Sequence, residues 1–243
     1  MKNQTYSFKV TGTERKAVAQ IIATATIQAV TYAGPPSFAS EVGSISIDRG
    51  GRITASIDEA FENILTALND SGVVTTEGIF TIPMKDHTGV SLRNLVNVIS
   101  SKEKLLNKAL GRSGEIIPQG IIEAVNAVRL EELEDFALVI KDLSMGGLSF
   151  DFNNKTISFN FYNASLDLET IKAYAALNAA LDEQAKKQKY SSFLQKEVDN
   201  EKYAFRCFLL KLGFIGDELK KERKILLMNM AGNGAFKSQE NKA

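Results

Sequence analysis

The sequence predicts an α+β protein built from two strand-helix-strand-strand units that form a mainly antiparallel sheet, followed by a C-terminal helical hairpin. Three patterns carry this reading. Short stretches alternate apolar and polar residues with the period of a half-buried strand. Longer stretches repeat apolar residues at the helical period, and the last basic stretch shows that helical pattern twice, on either side of a glycine.

Tyr6, Phe8 and Val10 alternate with Ser7 and Lys9 and open the fold as a strand. Thr11-Gly12-Thr13-Glu14 has capping-box spacing, in which a threonine hydroxyl and a glutamate satisfy free amides at a helix start. Val18, Ile21, Ile22 and Ala25 stripe the helix that follows, to about Thr26. Val30 to Tyr32 leads into Gly34-Pro35-Pro36, which interrupts regular structure. Ile45 and Ile47, the turn Arg49-Gly50-Gly51-Arg52 and then Ile53 read as a hairpin. A second capping box, Ser56-Ile57-Asp58-Glu59, starts a helix with Phe61, Ile64, Leu65 and Leu68 on one face, stopped at Ser71-Gly72.

The order then recurs. Ile79 to Met84 is strand-like, and Leu92 to Leu110 is helical, with Gly111 as its C-terminal cap. Leu148, Phe150 and Phe152 face Ile157, Phe159 and Phe161 across Asn153-Asn154 as a second hairpin. An alanine-rich helix covers about Leu166 to Lys189. Residues 115–145 stand between helix and hairpin as an insertion, with 130–143 helical. These boundaries give an N-terminal α+β unit at 1–72, a second unit with its insertion at 73–190, a helical hairpin at 191–237 and a disordered tail at 238–243.

In the hairpin, eight of the twelve residues from Glu201 to Leu212 are apolar, which predicts a helix buried around most of its circumference. Gly213 ends it, Phe214 and Ile215 fold back on it, and Asp217 caps a second helix from about Glu218 to Met230. There Arg223 falls inside the apolar stripe of Leu219, Leu226, Leu227 and Met230, so it requires a polar partner.

Composition narrows the functional classes. Of 243 residues, 44% are hydrophobic and 24% charged, the balance of a folded chain. Lysine plus arginine equals aspartate plus glutamate at 29 each, so no global field draws the protein to nucleic acid or an acidic membrane. Cys207 is the single cysteine, which excludes an internal disulfide and a multi-cysteine metal site and predicts a buried thiol in a reducing compartment. No basic stretch leads into an apolar one at the N-terminus, and no apolar run approaches the roughly 20 residues of a membrane helix. The expected setting is the cytoplasm, with no membrane contact.

Catalytic signatures are sparse. His87 is the only histidine, which argues against a zinc centre, and its polar neighbours predict a solvated loop position. There is no G-x-S-x-G elbow to make a serine triad of it, no P-loop, and no G-x-G-x-x-G after a strand. Glu131, Glu132, Glu134 and Asp135 fall at helical spacing, as on a solvated face. A protein without catalytic residues, metal or cofactor is expected.

Charge is concentrated at one end. From Lys202 to Lys237 there are eight basic and three acidic residues, an excess of five in a chain of zero net charge. Gly232-Asn233-Gly234 can expose backbone amides to a phosphate. Asn233 with Arg206, Lys211, Arg223, Lys224 and Lys237 are therefore the candidate ligand-binding residues, against the plainer reading of a glycine helix stop with solvated lysines.

The opening Tyr6-Ser-Phe-Lys-Val-Thr-Gly-Thr-Glu-Arg-Lys16, the segment Pro36-Ser-Phe-Ala39, and Asp199 to Arg206 continuing through Leu212 to Glu218 and Gly232 to Lys237 resemble a poorly characterised family labelled virulence-related. That family is carried by prophages and conjugative elements of Gram-positive bacteria. Residues 115–145 depart from its pattern, and it supplies no catalytic residues to transfer. The resemblance implies a mobile-element setting, where accessory proteins act on host defences or on the element's own transfer.

Together these features predict a non-catalytic binding protein of a phage or mobile element that counteracts host defence, either by blocking a host protein or by sequestering a nucleotide second messenger. The alternative is a nucleic-acid-associated accessory factor using the basic hairpin. Small side chains from Ala175 to Ala180 would also allow close helix approach in a homo-oligomer.

Overall fold

The computed structural model describes residues 4–58 and 60–235. Strand β1 (Thr5–Thr11) buries Tyr6, Phe8 and Val10. It is followed by α1 (Arg15–Thr26), β2 (Val30–Tyr32), β3 (Ser40–Val42), β4 (Ile45–Ile47), β5 (Arg52–Ser56) and α2 (Phe61–Asp70). The second half contains β6 (Val74–Pro83), α3 (Gly89–Ala109), α4 (Gln119–Ala127), α5 (Leu133–Ile140), β7 (Leu148–Asp151), β8 (Thr156–Tyr162) and α6 (Leu168–Lys187). Helices α7 (Glu201–Lys211) and α8 (Lys220–Leu226) end the described chain.

The eight strands form one antiparallel sheet in the order β2-β3-β4-β5-β1-β6-β8-β7. From the centre outward the two halves read alike: β1 then hairpin β5-β4 on one side, β6 then hairpin β8-β7 on the other. The chain is α+β and ends in helices α7 and α8, as the sequence predicts.

Period-two patterning gives this sheet two chemically different faces. On one, Tyr6 sits opposite Ala55 and Phe80, Phe8 opposite Ile53, and Phe80 opposite Phe159. The Phe80 ring meets those of Tyr6, Tyr162 and Tyr174 at 4.7, 4.9 and 6.3 Å between centroids. Such pairs add about 0.5–1.5 kcal/mol each beyond area burial. On the other face hydroxyls pair across strands, Ser7 with Thr54 and Thr81 with Ser158, each at 2.8 Å.

Helices α1 and α2 pack on each other, while α3 packs against α4, α5 and α6, and α6 also against α8. Phe61, Ile64, Leu65 and Leu68 of α2 are all buried, as their shared face predicts. Alanines 173, 175 and 176 are likewise buried, so the close approach they permit is taken up within the chain.

Several local expectations are corrected. Thr11 does not cap α1: it is the last residue of β1, its hydroxyl donates to the Val74 carbonyl, and Glu14 is the N-cap without a side-chain hydrogen bond. Ser56 does not cap α2 either, because it ends β5. The helix starts at Phe61 behind Ala60, whose N–H donates to Asp58, and Glu59 lies outside the described residues. Asp217 does not cap α8, which begins at Lys220 behind Leu219 and ends at Leu226. Residues 115–145 contain a further helix, α4, whose Ile121, Ile122 and Val125 are buried. The expected helix at 130–143 is trimmed to α5. The tail at 238–243 lies outside the described residues.

One glycine fixes the start of α3. A Cβ on Gly89 would lie 2.4 Å from the Glu132 carbonyl oxygen, so glycine alone lets the segment before α5 lie against this helix end. Thr88 and Ser91 close a capping box there.

Candidate functional site

A polar stripe runs along the buried side of helix α3 among Leu92, Leu95, Val98 and Ile99. His87, Ser91, Asn94 and Asn97 recur at helical spacing and are all buried, with Ser101 and Lys102 continuing the line. Three members, His87, Asn94 and Asn97, reach across to α6 or to the chain that leaves it. Asn94 donates to the Ala185 and Gln188 carbonyls at 3.3 and 2.6 Å and accepts from the Ser191 N–H at 3.0 Å. Asn97 donates to the Ser191 carbonyl at 2.9 Å and exchanges amide bonds with Asn126 of α4 at 2.9 and 2.8 Å. The Ser191 hydroxyl donates to Gln188. Two buried amides thereby hold a stretch without regular secondary structure, residues 188–200, against the helix.

His87 heads the stripe and is buried, not solvated as expected, because α6 brings Asp182, 95 positions away, against it. Its Nε2 lies 2.6 Å from Asp182 Oδ1 and its Nδ1 lies 2.8 Å from Ser91 Oγ. A carboxylate only accepts, so the network assigns the Nε2 proton to the Asp182 bond. Lys186 Nζ completes the cluster at 2.7 Å from Asp182 Oδ2. Ser91, His87 and Asp182 thus have the connectivity of a hydrolytic triad, but the His87 side chain is 0% exposed. The Ser91 oxygen is also engaged by the Thr88 N–H and carbonyl at 2.8 and 3.0 Å. No substrate carbonyl can reach it, and the cluster is a clasp between α3 and α6.

Below the stripe lies a cleft of about 430 Å³, within the ~300–1,000 Å³ typical of small-molecule sites. Helix α3 contributes Val98, Ser101 and Lys102; the end of α6 contributes Gln184 and Gln188. The anchored 188–200 stretch brings Tyr190, Ser192, Leu194 and Lys196, and α7 brings Cys207, Phe208 and Lys211. Three lysines converge with no carboxylate among the described lining residues.

Their mutual repulsion is visible at Lys102. Burial, and after it the nearby Lys196 and Lys211 ammonium groups, hold the Lys102 pKa below the usual lysine value. Lys102 Nζ lies over the face of Phe208, 5.7 Å from the ring centroid, which offsets part of that repulsion. At the rim, Tyr190 is 61% exposed, and Arg93 covers one face of its ring at 6.0 Å. Cys207 is exposed, not the buried thiol predicted, because it projects into this cleft from α7. The Tyr203 hydroxyl hydrogen-bonds it, which raises the Tyr203 pKa.

The residues proposed from the sequence fall in different places. Lys211 lines the cleft. Arg206 donates to the Gly234 carbonyl at 3.2 Å, and Asn200 donates to the Asn233 carbonyl at 2.8 Å, so this glycine-rich stretch presents acceptors to α7. The Asn233 side chain accepts from the Ala235 N–H. Arg223 finds the partner its position demands in the Phe214 and Gly216 carbonyls, at 2.6 and 3.4 Å. Lys224 lines a separate groove, and Lys237 lies outside the described residues. Sequence reasoning passed over Lys102, Lys196, Tyr190, Phe208, Asn94 and Asn97. The polar stripe at 87, 91, 94, 97 and 101 was the available signal for the last two.

Among the described residues no group of three or more His, Cys, Asp or Glu is arranged to hold a metal ion, and no helix is long and apolar enough to cross a membrane. Comparison with family models, with curated proteins and with solved structures returns no match.

Proposed function

We propose that this chain is a non-catalytic binding protein that sequesters a small phosphorylated ligand, a nucleotide signal, in the cleft between α3, α7 and the 188–200 stretch. The observation that carries the reading is the convergence of Lys102, Lys196 and Lys211 in a cleft whose described lining contains no carboxylate. Three unneutralised ammonium groups repel one another until an anion enters, so binding a multiply charged phosphate relieves an existing electrostatic penalty. Tyr190 supplies the aromatic surface for a base, since Arg93 covers only one ring face. Inorganic phosphate alone would leave that surface and Leu194 unused.

The non-catalytic reading is supported by the burial of the triad-like cluster, whose His87 side chain is 0% exposed. The resemblance of the chain termini to mobile-element proteins supports a setting in the bacterial cytoplasm, where removing a nucleotide messenger would blunt a host defence.

Native mass spectrometry of the chain purified from a bacterial host, followed by chromatography of what denaturation releases, tests this. A stoichiometric nucleotide that is lost in Lys102→Gln is the expected result. A clean protein with no nucleotide affinity in equilibrium dialysis would overturn it. Oligonucleotide retention that falls steeply with salt would favour the nucleic-acid accessory role instead.

A further inference from the structure

A second surface, away from the cleft, carries an independent inference. Lys202 of α7, Glu169 at the start of α6, Lys221, Lys224 and Ile225 of α8, and Leu227 and Met228 beyond it line an open groove of about 550 Å³. Its floor is apolar. Met228 is 71% exposed and carries that apolar floor out to the surface beside Ile225 and Leu227.

The rim is cationic. Lys221 lies 3.8 Å from Glu169, and Lys202 and Lys224 make no ion pair among the described residues. We infer that this groove docks an acidic amphipathic helix of a partner protein, apolar side chains on Ile225, Leu227 and Met228 and carboxylates on Lys202 and Lys224. Charge complementarity chooses this occupant. A lipid surface is held by the long apolar face of an interfacial helix, whereas Ile225, Leu227 and Met228 are three side chains at the end of the seven-residue α8. A small apolar ligand would be largely enclosed in its site, whereas here the Lys221 side chain is 80% exposed and the groove is open along its flank. The chain's own final residues, 236–243, hold two lysines and one glutamate and do not complement the rim. Methionine on the floor adapts to the partner's side chains, as at other helix-binding grooves.

The test is selection of a random peptide library displayed on phage against the immobilised full chain, followed by fluorescence polarisation of the labelled consensus peptide. The expected consensus is acidic with apolar residues at i, i+4 and i+7, and Met228→Glu and Lys224→Glu each weaken it by about tenfold or more. Met228 is exposed, so Met228→Glu leaves the melting temperature and nucleotide binding in the other cleft unchanged. A consensus that is basic or lacks the helical spacing, binding that survives Met228→Glu, or displacement of the peptide by phosphatidylserine vesicles overturns the inference. Failure of nucleotide binding would leave it standing, because the two surfaces share no lining residue.

Discussion

The central sheet and the α3–α6 seam are held by opposite kinds of interaction. Across the sheet, the buried rings of Tyr6, Phe8, Phe80, Phe159 and Tyr162 pack over three adjacent strands, β1, β6 and β8. Along the seam, His87, Ser91, Asn94, Asn97 and Asp182 hold a helix to its neighbour and to a coil through directional bonds. Apolar packing is non-directional and tolerates any register that buries area, so it builds the frame. Hydrogen bonds between buried groups specify position, so they can place an irregular stretch such as residues 188–200 where its lysine and tyrosine face a cleft. Placement at the site depends on the seam, and stability of the whole depends on the sheet.

The comparison breaks first at Phe80. Phe80→Ala removes a fully buried ring from the centre of the aromatic row and should destabilise the fold by about 3–5 kcal/mol, read as a shift in urea midpoint. Equal loss from any seam variant would erase the distinction between frame and placement.

His87→Ala comes next. It leaves Ser91 and Asp182 without their shared partner in a buried site and should destabilise by about 2–3 kcal/mol. A hydrolase reading would require esterase turnover that this substitution abolishes, and the sealed geometry predicts no turnover in the parent chain.

Alkaline pH acts on the sheet. Burial pushes the Tyr6 hydroxyl up to about 12, and Tyr162 and Tyr174 are raised by the same cause. Unfolded tyrosines ionise near ~10, so the unfolded state releases protons first. The contribution of Tyr6 is whole below about pH 10 and is lost as pH rises towards 12, a fall of about 2 kcal/mol at the upper end. Urea midpoints measured from about pH 9 to 11 should decline, and Tyr6→Phe should flatten part of that slope.

Much of this frame was legible in the sequence, because alternation and helical stripes report directly on which side chains face inward. Phe8, Ile53, Phe61 and Phe159 are buried as their spacing predicts. The S/T-x-x-E spacing at Thr11 and Ser56 is too short a pattern to separate a helix cap from a strand end. Thr11 is claimed by strand pairing before it can cap a helix. The seam was hidden for a different reason: His87 looks like a polar loop residue until Asp182, 95 positions away, is brought against it. The cleft lysines at 102, 196 and 211 are equally scattered, whereas in the basic cluster near the C-terminus Arg206 and Arg223 are spent on backbone carbonyls.

The smallest stability effect sharpens the comparison most. Asn97→Ala should destabilise by only about 1–2 kcal/mol, yet it frees the Ser191 carbonyl and loosens the stretch that carries Tyr190 and Lys196. Nucleotide affinity should therefore fall by more than the stability loss explains, whereas a sheet variant of similar stability loss, such as Ile53→Val, should bind normally.

The most direct measurement is calorimetric titration of the full chain with nucleoside mono-, di- and triphosphates, in parallel with Lys102→Gln. The account predicts saturable one-to-one binding that strengthens with phosphate number and is lost in the variant while its melting temperature is retained. Absence of binding across the series, or an unchanged affinity in Lys102→Gln, would contradict it.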